Sequence, residues 1–392
     1  MKAYMILAAA VAASLLAGCA QRGYVQLTGY AQGGTWSVKY NTDGVTAGPA
    51  EVQRGIEAIL HDIDTTLSGY NMRSQLSRLN AGDTVTASRM LMRMYNRSHA
   101  FWQETEGAVD VAAGPLFDIW GFGFRNDSLP SGEKVREALS VSGMGRLVPS
   151  MEEVLMPGGR LCAARLQAIR PDGAGSLSGA ESLPCSGGHT GSLPRLNFNA
   201  IAQGYSCDTV ASYLNSLGVK DMLVDIGEIL CRGLGPSGKP WRVGVDRPAD
   251  GNNTPGADLD GIWESAGIPR DGLSAGDRAA GDSDRAEEDG LPFQGIVTSG
   301  NYRKFYLRDG HKYAHTIDPR TGYPAENELL SATIVASSAE AADAYATYCM
   351  VIGLEAAKRF ILGRPDLEGY LIYDVSASGM AEWKSPGFRL AE

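Results

Sequence analysis

The order in which strand-like and helix-like segments follow each other constrains the fold of this chain most. Polar and apolar residues alternate over 35–40, as in a strand, and apolar residues recur at helical spacing over 49–67. The same patterns predict helices over 88–104, 208–217 and 339–362, and strands over 222–233, 241–246, 295–307, 332–335 and 371–374. We expect 222–233 and 241–246 to form a hairpin. Because the elements lack the regular βαβ repeat of a doubly wound sheet, we predict the α+β class.

Two segments interrupt this pattern. Residues 157–195 and 250–291 are rich in turn formers and poor in periodic apolar side chains, so we predict that both are loop-like insertions. The chain has a net charge of −10, and residues 250–290 hold eleven acidic and three basic residues, which gives −8 in that stretch alone. The negative balance excludes a general nucleic-acid binder, which needs a basic face.

The N-terminus has the pattern of an export signal. Lys2 precedes an uncharged apolar run over 5–16, which is too short to span a bilayer and fits the apolar core of a signal peptide. The sequence LAGC at 16–19 resembles the bacterial lipobox, in which the cysteine is lipidated and becomes the new N-terminus. An ordinary secretory signal with an incidental cysteine is the alternative.

These signals predict the organisation of the chain. We expect a lipoprotein signal peptide over 1–18, a tether over 19–30, and one domain over 31–392 that contains both insertions. Lipidation of Cys19 would anchor the protein to a bacterial membrane, facing the periplasm or the cell exterior. Because cytosolic ATP is not available there, the chemistry must use a substrate that is already activated.

The other five cysteines are irregularly spaced. They form no CxxC pattern, which argues against a zinc site, and Cys162 and Cys185 are candidates for a disulfide. A glycine-rich motif is equally unspecific: residues 233–238 match GxGxxG, and Lys239 follows. However, Pro240 stands where a phosphate-binding loop needs Ser or Thr, and a strand pattern follows instead of a helix. We therefore predict a simple turn at 233–238.

The segment 313–324 is dense in turn-forming residues, including Asp-Pro at 318–319 and Gly-Tyr-Pro at 322–324. A strand that ends at His315 would aim the imidazole at whatever the turn encloses. A neutral imidazole can accept the proton of a hydroxyl nucleophile, so His315 is a candidate base. The alternative is a structural histidine that caps the turn.

Asp343 and Thr347 lie four residues apart on a predicted helix and therefore share one face, among small alanine side chains. A carboxylate and a hydroxyl on one face suit a hard cation such as Mg²⁺, although a plain hydrogen bond between side chains is the alternative. The segment 199–205 precedes another predicted helix, and its small residues would let backbone groups meet a diphosphate or a metal.

Nine motifs, in the same order along the chain, resemble those of the ApbE family, the FAD:protein FMN transferases. They are GTWSV at 34–38, SGYN at 68–71 with SQLSRLN at 74–80, GAVDVAAGPL at 107–116 running into WGFG at 120–123, NAIAQGY at 199–205, VDIGE at 224–228, and the segments 241–248, 298–302, 315–324 and 343–347. The resemblance covers roughly residues 30–385 apart from the two insertions. It implies a single α+β domain that binds FAD in a cleft together with Mg²⁺. It also implies transfer of FMN from FAD to a threonine hydroxyl of a partner protein, with AMP leaving.

The resemblance assigns roles residue by residue. Asp343 and Thr347 match the metal ligands, the carbonyl of Ala200 is the candidate third ligand, and His315 matches the base or positioner of the threonine hydroxyl. The other implied contacts are with FAD: Tyr70 beside the isoalloxazine, Asp110, Gly34 and Thr35 at the adenosine end, Thr298 and Ser299 on the flavin side, and Gln203 at a phosphate.

Two departures from the family pattern affect the expected site. Gln203 occupies a position that is often lysine, so one phosphate contact is expected to be neutral. The segment 224–228 has one glycine where two are usual, which would tighten that turn.

Two other functions stay open. The first is a Mg²⁺-dependent FAD pyrophosphatase that gives FMN and AMP, which Tyr70 disfavours because such relatives can carry asparagine there. The second is a flavin-binding lipoprotein without catalysis. For the transferase, the expected partner is an acceptor protein with a target threonine, such as a subunit of a redox or ion-pumping complex.

Overall fold

The structure, a computed structural model, describes residues 23–123, 129–167, 195–249, 252, 256–266, 292–302, 305–308, 311–375 and 379–391. The strands are β1 Tyr24–Ala31, β2 Gly34–Asn41, β3 Val85–Thr86, β4 Arg160–Leu161, β5 Met222–Asp225, β6 Ile229–Arg232, β7 Arg242–Asp246, β8 Leu259–Glu264, β9 Gln294–Gly300, β10 Phe305–Arg308, β11 His311–Ala314, β12 Ile317–Asp318, β13 Tyr323–Pro324, β14 Leu329–Ala336, β15 Glu368–Val375 and β16 Gly379–Lys384. The α-helices are α1 Pro49–Leu67, α2 Gln75–Asn80, α3 Arg89–Glu104, α4 Gly114–Ile119, α5 Gly132–Val141, α6 Ala163–Leu166, α7 Ala202–Ser216, α8 Ala339–Ile352 and α9 Leu354–Leu362.

An eight-stranded sheet organises the molecule, in the order β1-β2-β5-β6-β9-β14-β15-β16. Every neighbouring pair in it is antiparallel. The predicted α+β class is therefore confirmed. Helix α8 packs on the neighbouring strands β9 and β14 and also against α7.

The sheet is covered on both faces. Leu230 and Val297 belong to the large core beneath the helices, whereas their strand neighbours Cys231 and Ile296 pack in a second core with Trp263. This alternation follows from the two-residue period of a strand. The second core is closed by the small antiparallel sheet of β7 and β8.

Two predicted helices match the structure closely. Helix α1 spans 49–67 as predicted, because Pro49 suits the first turn and an apolar stripe with Ile56 and Ile63 faces the core. Helix α3 follows Ser88, whose Oγ accepts a hydrogen bond from Leu91 N–H at 3.2 Å.

The predicted start of helix 208–217 is wrong by six residues, because α7 begins at Ala202. Gly204 belongs to the segment that we placed before this helix, but it lies in the first turn of the helix. A Cβ at this position would lie 2.3 Å from the carbonyl oxygen of Ala339, so glycine is needed for close packing of two helices.

The single helix predicted over 339–362 is wrong in one respect. Gly353 has a φ of 78° and separates α8 from α9. A residue in this left-handed conformation ends a helix, and glycine adopts it without strain.

The hairpin predicted from 222–233 and 241–246 is also wrong. Residues 222–233 contain β5 and β6, which pair with each other around Gly227 at a φ of 89°. Strand β7 pairs with β8 instead. The strand predicted over 295–307 is likewise two strands, since β9 lies in the main sheet and β10 pairs with β11. The turn predicted at 233–238 is confirmed, because Gly238 N–H donates to the Gly235 carbonyl at 2.9 Å.

The predicted insertions and tether contain ordered structure. Within 157–195, β4 pairs with β3, and α6 places Leu166 in the core. Within 250–291, β8 buries Trp263. Strand β1 pairs with β2 along its whole length, so the predicted tether is wrong from Tyr24 onward. Residues 168–194 and 267–291 lie outside the described residues.

Cys162 is buried and disulfide-bonded. Cys207, Cys231 and Cys349 are free, so the partner of Cys162 is outside the described part of the chain. The pairing with Cys185 stays a prediction. In the ranges given above, no helix has the length and apolar character needed to cross a bilayer.

Candidate functional site

Helices α7 and α8 pack closely at Gly204, and this contact orients the predicted metal ligand Asp343. The Gly204 N–H donates to Asp343 Oδ2 at 3.2 Å. The absence of a side chain at Gly204 lets the backbone of α7 come against that of Ala339. The carboxylate is therefore oriented by a neighbouring helix as well as by its own.

Asp343 is buried, with 6% of its surface exposed. Burial, and then the nearby carboxylates of Glu340 and Asp208, raise the pKa of Asp343 well above its usual range. A buried carboxylate beside two others is stabilised in its charged form by a cation. The electrostatics at this position thus favour a bound cation.

Thr347 lies one helical turn after Asp343, as predicted. Its Oγ1 is 3.3 Å from the Oγ of Ser299 on β9. The neighbouring Thr298 points elsewhere, since its hydroxyl lies 2.8 Å from that of Thr333 on β14. The structure therefore brings Ser299, and not Thr298, into contact with Thr347.

The segment before α7 contacts the loop that carries Tyr70. Asn199 Nδ2 lies 3.5 Å from the Tyr70 hydroxyl, and Asn199 immediately precedes Ala200. Tyr70 is 68% exposed on a loop that Ser68 and Ser74 hold by a 2.6 Å hydrogen bond. A fixed loop thus presents an aromatic ring to solvent beside the segment that carries Ala200.

Gln203 rests on the turn between β5 and β6. Its Nε2 lies 3.5 Å from the Ile226 carbonyl, and a Cβ at Gly227 would lie 2.3 Å from the same nitrogen. The side-chain amide of Gln203 therefore packs against Gly227, the single glycine of this turn. The two departures from the family pattern, at Gln203 and in 224–228, are thus in contact with each other.

The tip of the β1–β2 hairpin reaches the first turns of α7. Gln32 Nε2 donates to Ser206 Oγ at 2.6 Å. Gly34 and Thr35 are exposed next to this contact, at the start of β2. Helix α7, which carries Gln203 and Gly204, therefore contacts both the hairpin tip and Asp343.

Asp110 joins two chain segments in the core through hydrogen bonds. Its carboxylate accepts hydrogen bonds from Ala112 N–H at 2.8 Å and from Met144 N–H at 3.0 Å, and a further one from the Trp102 side chain. Burial raises the pKa of Asp110 to about 6. These hydrogen bonds hold the two chain segments together. The contact of Asp110 with the adenosine end of FAD stays a prediction.

The raised pKa of Asp110 predicts that the stability of the protein depends on pH. Between about pH 4 and about pH 6 the folded protein keeps a proton on Asp110 that the unfolded chain has lost. Its free energy of unfolding should therefore fall as pH rises through this window, by about 1.4 kcal/mol per unit. Urea unfolding of the wild type and of Asp110→Asn measures this, because the variant lacks the titrating group. A difference between the two proteins that does not change with pH would contradict the assignment.

His315 follows β11 directly, so the predicted strand ends one residue before it. Its ring packs edge-on against Phe122, with 6.2 Å between ring centres. Trp120, two residues before Phe122, contacts the turn that follows His315. Its Nε1 donates a hydrogen bond to the Gly322 carbonyl at 2.9 Å. The His315 ring therefore packs on the loop after α4.

The two predicted ligands on α8 fit a hard cation. Asp343 supplies a carboxylate and Thr347 a hydroxyl, which are oxygen ligands that Mg²⁺ prefers. The backbone carbonyl of Ala200 stays a predicted third ligand. Within the described part of the chain, no three His, Cys, Asp or Glu side chains converge on one point. A Mg²⁺ site needs only one or two carboxylates, because water and phosphate oxygens complete its coordination.

Asp208, which contacts the start of the helix that carries Asp343, was not identified from the sequence. Its carboxylate accepts hydrogen bonds from Ala339 N–H and Glu340 N–H, both at 3.0 Å, at the start of α8. Gly204 and Asp208 lie four residues apart on one face of α7. The predicted helix began at 208 and left out Gly204, so the sequence did not show that the two residues share a helix face.

We expect Gly204→Ala to destabilise the protein. The new methyl group would overlap the Ala339 carbonyl, so the two helices must separate, and overpacking of this kind costs about 1–3 kcal/mol. Urea unfolding provides the measurement. Gly132→Ala is the matched control, because Gly132 also lies in the first turn of a helix and a Cβ there meets only ordinary contacts, the nearest at 3.5 Å. Equal stabilities of the two variants would show that the close approach is not required.

Comparison with known proteins decides the family. Residues 32–371 match the family model described as the ApbE family. The chain belongs to the ApbE family. A Vibrio cholerae protein named FAD:protein FMN transferase is 29% identical over 350 residues, covering 87% of this chain and 85% of the relative. A Haemophilus influenzae protein of the same name is 29% identical over 377 residues, covering 94% and 91%.

A solved structure is similar over nearly the whole ApbE fold. The apo form of the Pseudomonas stutzeri flavinyl transferase ApbE matches with a TM-score of 0.68 and 27% identity, covering 93% of this chain and 95% of that one. The resemblance drawn from the nine motifs is confirmed. The matched range of this ApbE chain includes every predicted site residue except Cys19, which lies outside the described residues.

Proposed function

We propose that this protein transfers FMN from FAD to a threonine hydroxyl of a partner protein, in a Mg²⁺-dependent reaction that releases AMP. The shared name of the relatives supports FAD:protein FMN transfer. The observation that carries the site is the pair Asp343 and Thr347 on one face of α8, where the Gly204 N–H orients the carboxylate. The product is a flavin linked to the partner through a phosphoester.

Asp343, Thr347 and the Ala200 carbonyl would hold the metal ion. When bound, Mg²⁺ neutralises the diphosphate of FAD and the negative charge that develops during phosphoryl-type transfer. The Ser299 hydroxyl, 3.3 Å from Thr347, supports the orientation of that ligand. No ATP is required, because FAD contains its own phosphoanhydride bond.

The reaction exchanges one bond to phosphorus for another. The threonine oxygen forms a bond to the FMN-side phosphorus, and the anhydride oxygen leaves with AMP and the bonding electron pair. The hydroxyl proton passes to the neutral imidazole of His315. That imidazole packs against Phe122. If His315 only orients the hydroxyl, the proton leaves to solvent instead.

The remaining predicted contacts would hold FAD. Tyr70 offers an exposed ring for stacking against the isoalloxazine, and Gln203 offers a neutral donor to a phosphate. The other proposed contacts are Gly34, Thr35 and Asp110 at the adenosine end, and Thr298 and Ser299 on the flavin side.

An assay of AMP release separates transfer from hydrolysis. Purified protein is incubated with FAD and Mg²⁺, with and without a candidate acceptor that has an exposed threonine. A transferase releases AMP mainly when the acceptor is present. Equal AMP release in both samples would identify a pyrophosphatase, and no AMP in either sample would identify a flavin-binding protein.

We also propose that Cys19 carries a lipid anchor, so that the domain lies at a bacterial membrane and faces the periplasm or cell exterior. Strand β1 begins at Tyr24, so the chain between the two residues reaches at most about 18 Å. The anchor would therefore hold the sheet close to the membrane surface. Cell fractionation tests this, since Cys19→Ser should move the protein from the membrane to the soluble fraction, and an unchanged distribution would contradict it.

A further inference from the structure

The N-terminus of helix α8 is held by two different caps. Ser338 Oγ accepts a hydrogen bond from Ala341 N–H at 3.1 Å, within the same segment. Asp208 accepts bonds from the N–H groups of Ala339 and Glu340, each at 3.0 Å, and it belongs to α7. The first N–H groups of a helix have no partner inside it, and a carboxylate also matches the positive end of the helix dipole. Only the second cap connects α8 to another helix.

A second connection runs between the same two helices one turn away. Gly204 precedes Asp208 by four residues on α7, and its N–H donates to Asp343 Oδ2 at 3.2 Å. Asp343 in turn follows Ala339 by four residues on α8. The two connections, each about one turn apart on both helices, fix the axial position and the rotation of α8 relative to α7.

A strand closes the same end of α8. A Cβ at Gly295 on β9 would lie 2.4 Å from the Ala339 nitrogen, so the strand backbone presses against the first turn. Asp208 is 2% exposed beneath this contact. The start of α8 is thus confined by α7 on one side and by β9, which also carries Ser299, on the other.

We infer that Asp208 is a positioning residue that sets the alignment of Asp343 and Thr347 as metal ligands. This inference rests on the proposed function. Asp208 uses both carboxylate oxygens on backbone N–H groups, so it acts through α8 and not as a ligand. Groups that hydrogen-bond directly to a metal ligand typically change metal affinity about 10–100-fold when they are replaced. Asp208 acts one step further out, through the helix that carries both ligands, so we expect an effect at the lower end of this range.

The test measures metal binding directly, by titrating Mn²⁺ into the full-length protein and following free Mn²⁺ by electron paramagnetic resonance. Mn²⁺ serves as a probe because it shares the preference of Mg²⁺ for oxygen ligands. Both Asp208→Asn and Asp208→Ala should raise the dissociation constant at least about tenfold. Ser338→Ala is the matched control, because it removes a cap from the same helix end without breaking the connection to α7. We expect its dissociation constant to stay within about twofold of the wild type.

Each outcome decides between specific alternatives. If the Asp208 variants bind Mn²⁺ as tightly as Ser338→Ala does, Asp208 is an ordinary helix cap and the inference fails. Asp208→Asn keeps the size of the side chain and one accepting oxygen, so it decides the question if Asp208→Ala does not fold. If Asp343→Ala also binds Mn²⁺ as the wild type does, the metal site of the proposed function fails, whatever Asp208 does.

Discussion

Replacing Asp343 with alanine is expected to reduce FMN transfer by at least about 10³-fold. The variant removes the single carboxylate among the proposed metal ligands, and stabilisation by a bound metal contributes several kcal/mol to a transition state that develops negative charge. The measurement is the initial rate of acceptor flavinylation at fixed FAD and Mg²⁺. Asp83→Ala, which removes a carboxylate from an exposed ion pair with Arg78, is the control and should leave the rate unchanged.

The loss should not arise from unfolding. Burial raises the pKa of Asp343 well above its usual range, so keeping this carboxyl group buried lowers the free energy of unfolding of the metal-free protein at neutral pH. Asp343→Asn should therefore melt at the same temperature as the wild type or higher in the absence of metal, while being inactive. A variant that transfers FMN at the wild-type rate would exclude Asp343 from the reaction.

Replacing His315 with alanine should lower the rate of transfer by about 10²–10⁴-fold, the usual contribution of a positioned proton acceptor. Binding of FAD should change little, because the imidazole is proposed to act on the incoming hydroxyl. Flavinylation rates and FAD titration by fluorescence measure the two effects separately. His61→Ala, on the exposed face of α1, is the matched control. If His315→Ala loses FAD affinity and keeps its rate at saturating FAD, the histidine has a binding role instead.

Local sequence patterns predicted best the helices that have both a clear start signal and a continuous apolar stripe. Helix α1 was predicted to the residue, because a proline start and a continuous apolar stripe both specify it. Strand β8 was missed for the opposite reason. It lies in a glycine-rich and acidic stretch, and it becomes a strand by pairing with β7 and burying Trp263. Such long-range pairing leaves little trace in local periodicity.

Glycine contributed to two further errors, because one residue type serves several physical purposes. Gly353 ends a helix with a φ of 78°, whereas Gly204 lies inside a helix and permits close packing. Sequence alone does not distinguish a turn from a close approach. The pair Asp343 and Thr347 was predictable, since helical spacing defines a shared face. Asp208 was not, because its partners lie about 130 residues away on α8.

The most direct test of the proposed function is the intact mass of a candidate acceptor after incubation with this protein, FAD and Mg²⁺. We predict that the acceptor gains the mass of one FMN less one water on a threonine, and that one equivalent of AMP appears for each modified chain. Peptide mapping then locates the threonine, and Asp343→Ala serves as the inactive control. An acceptor of unchanged mass, with AMP and free FMN accumulating in solution, would contradict protein FMN transfer.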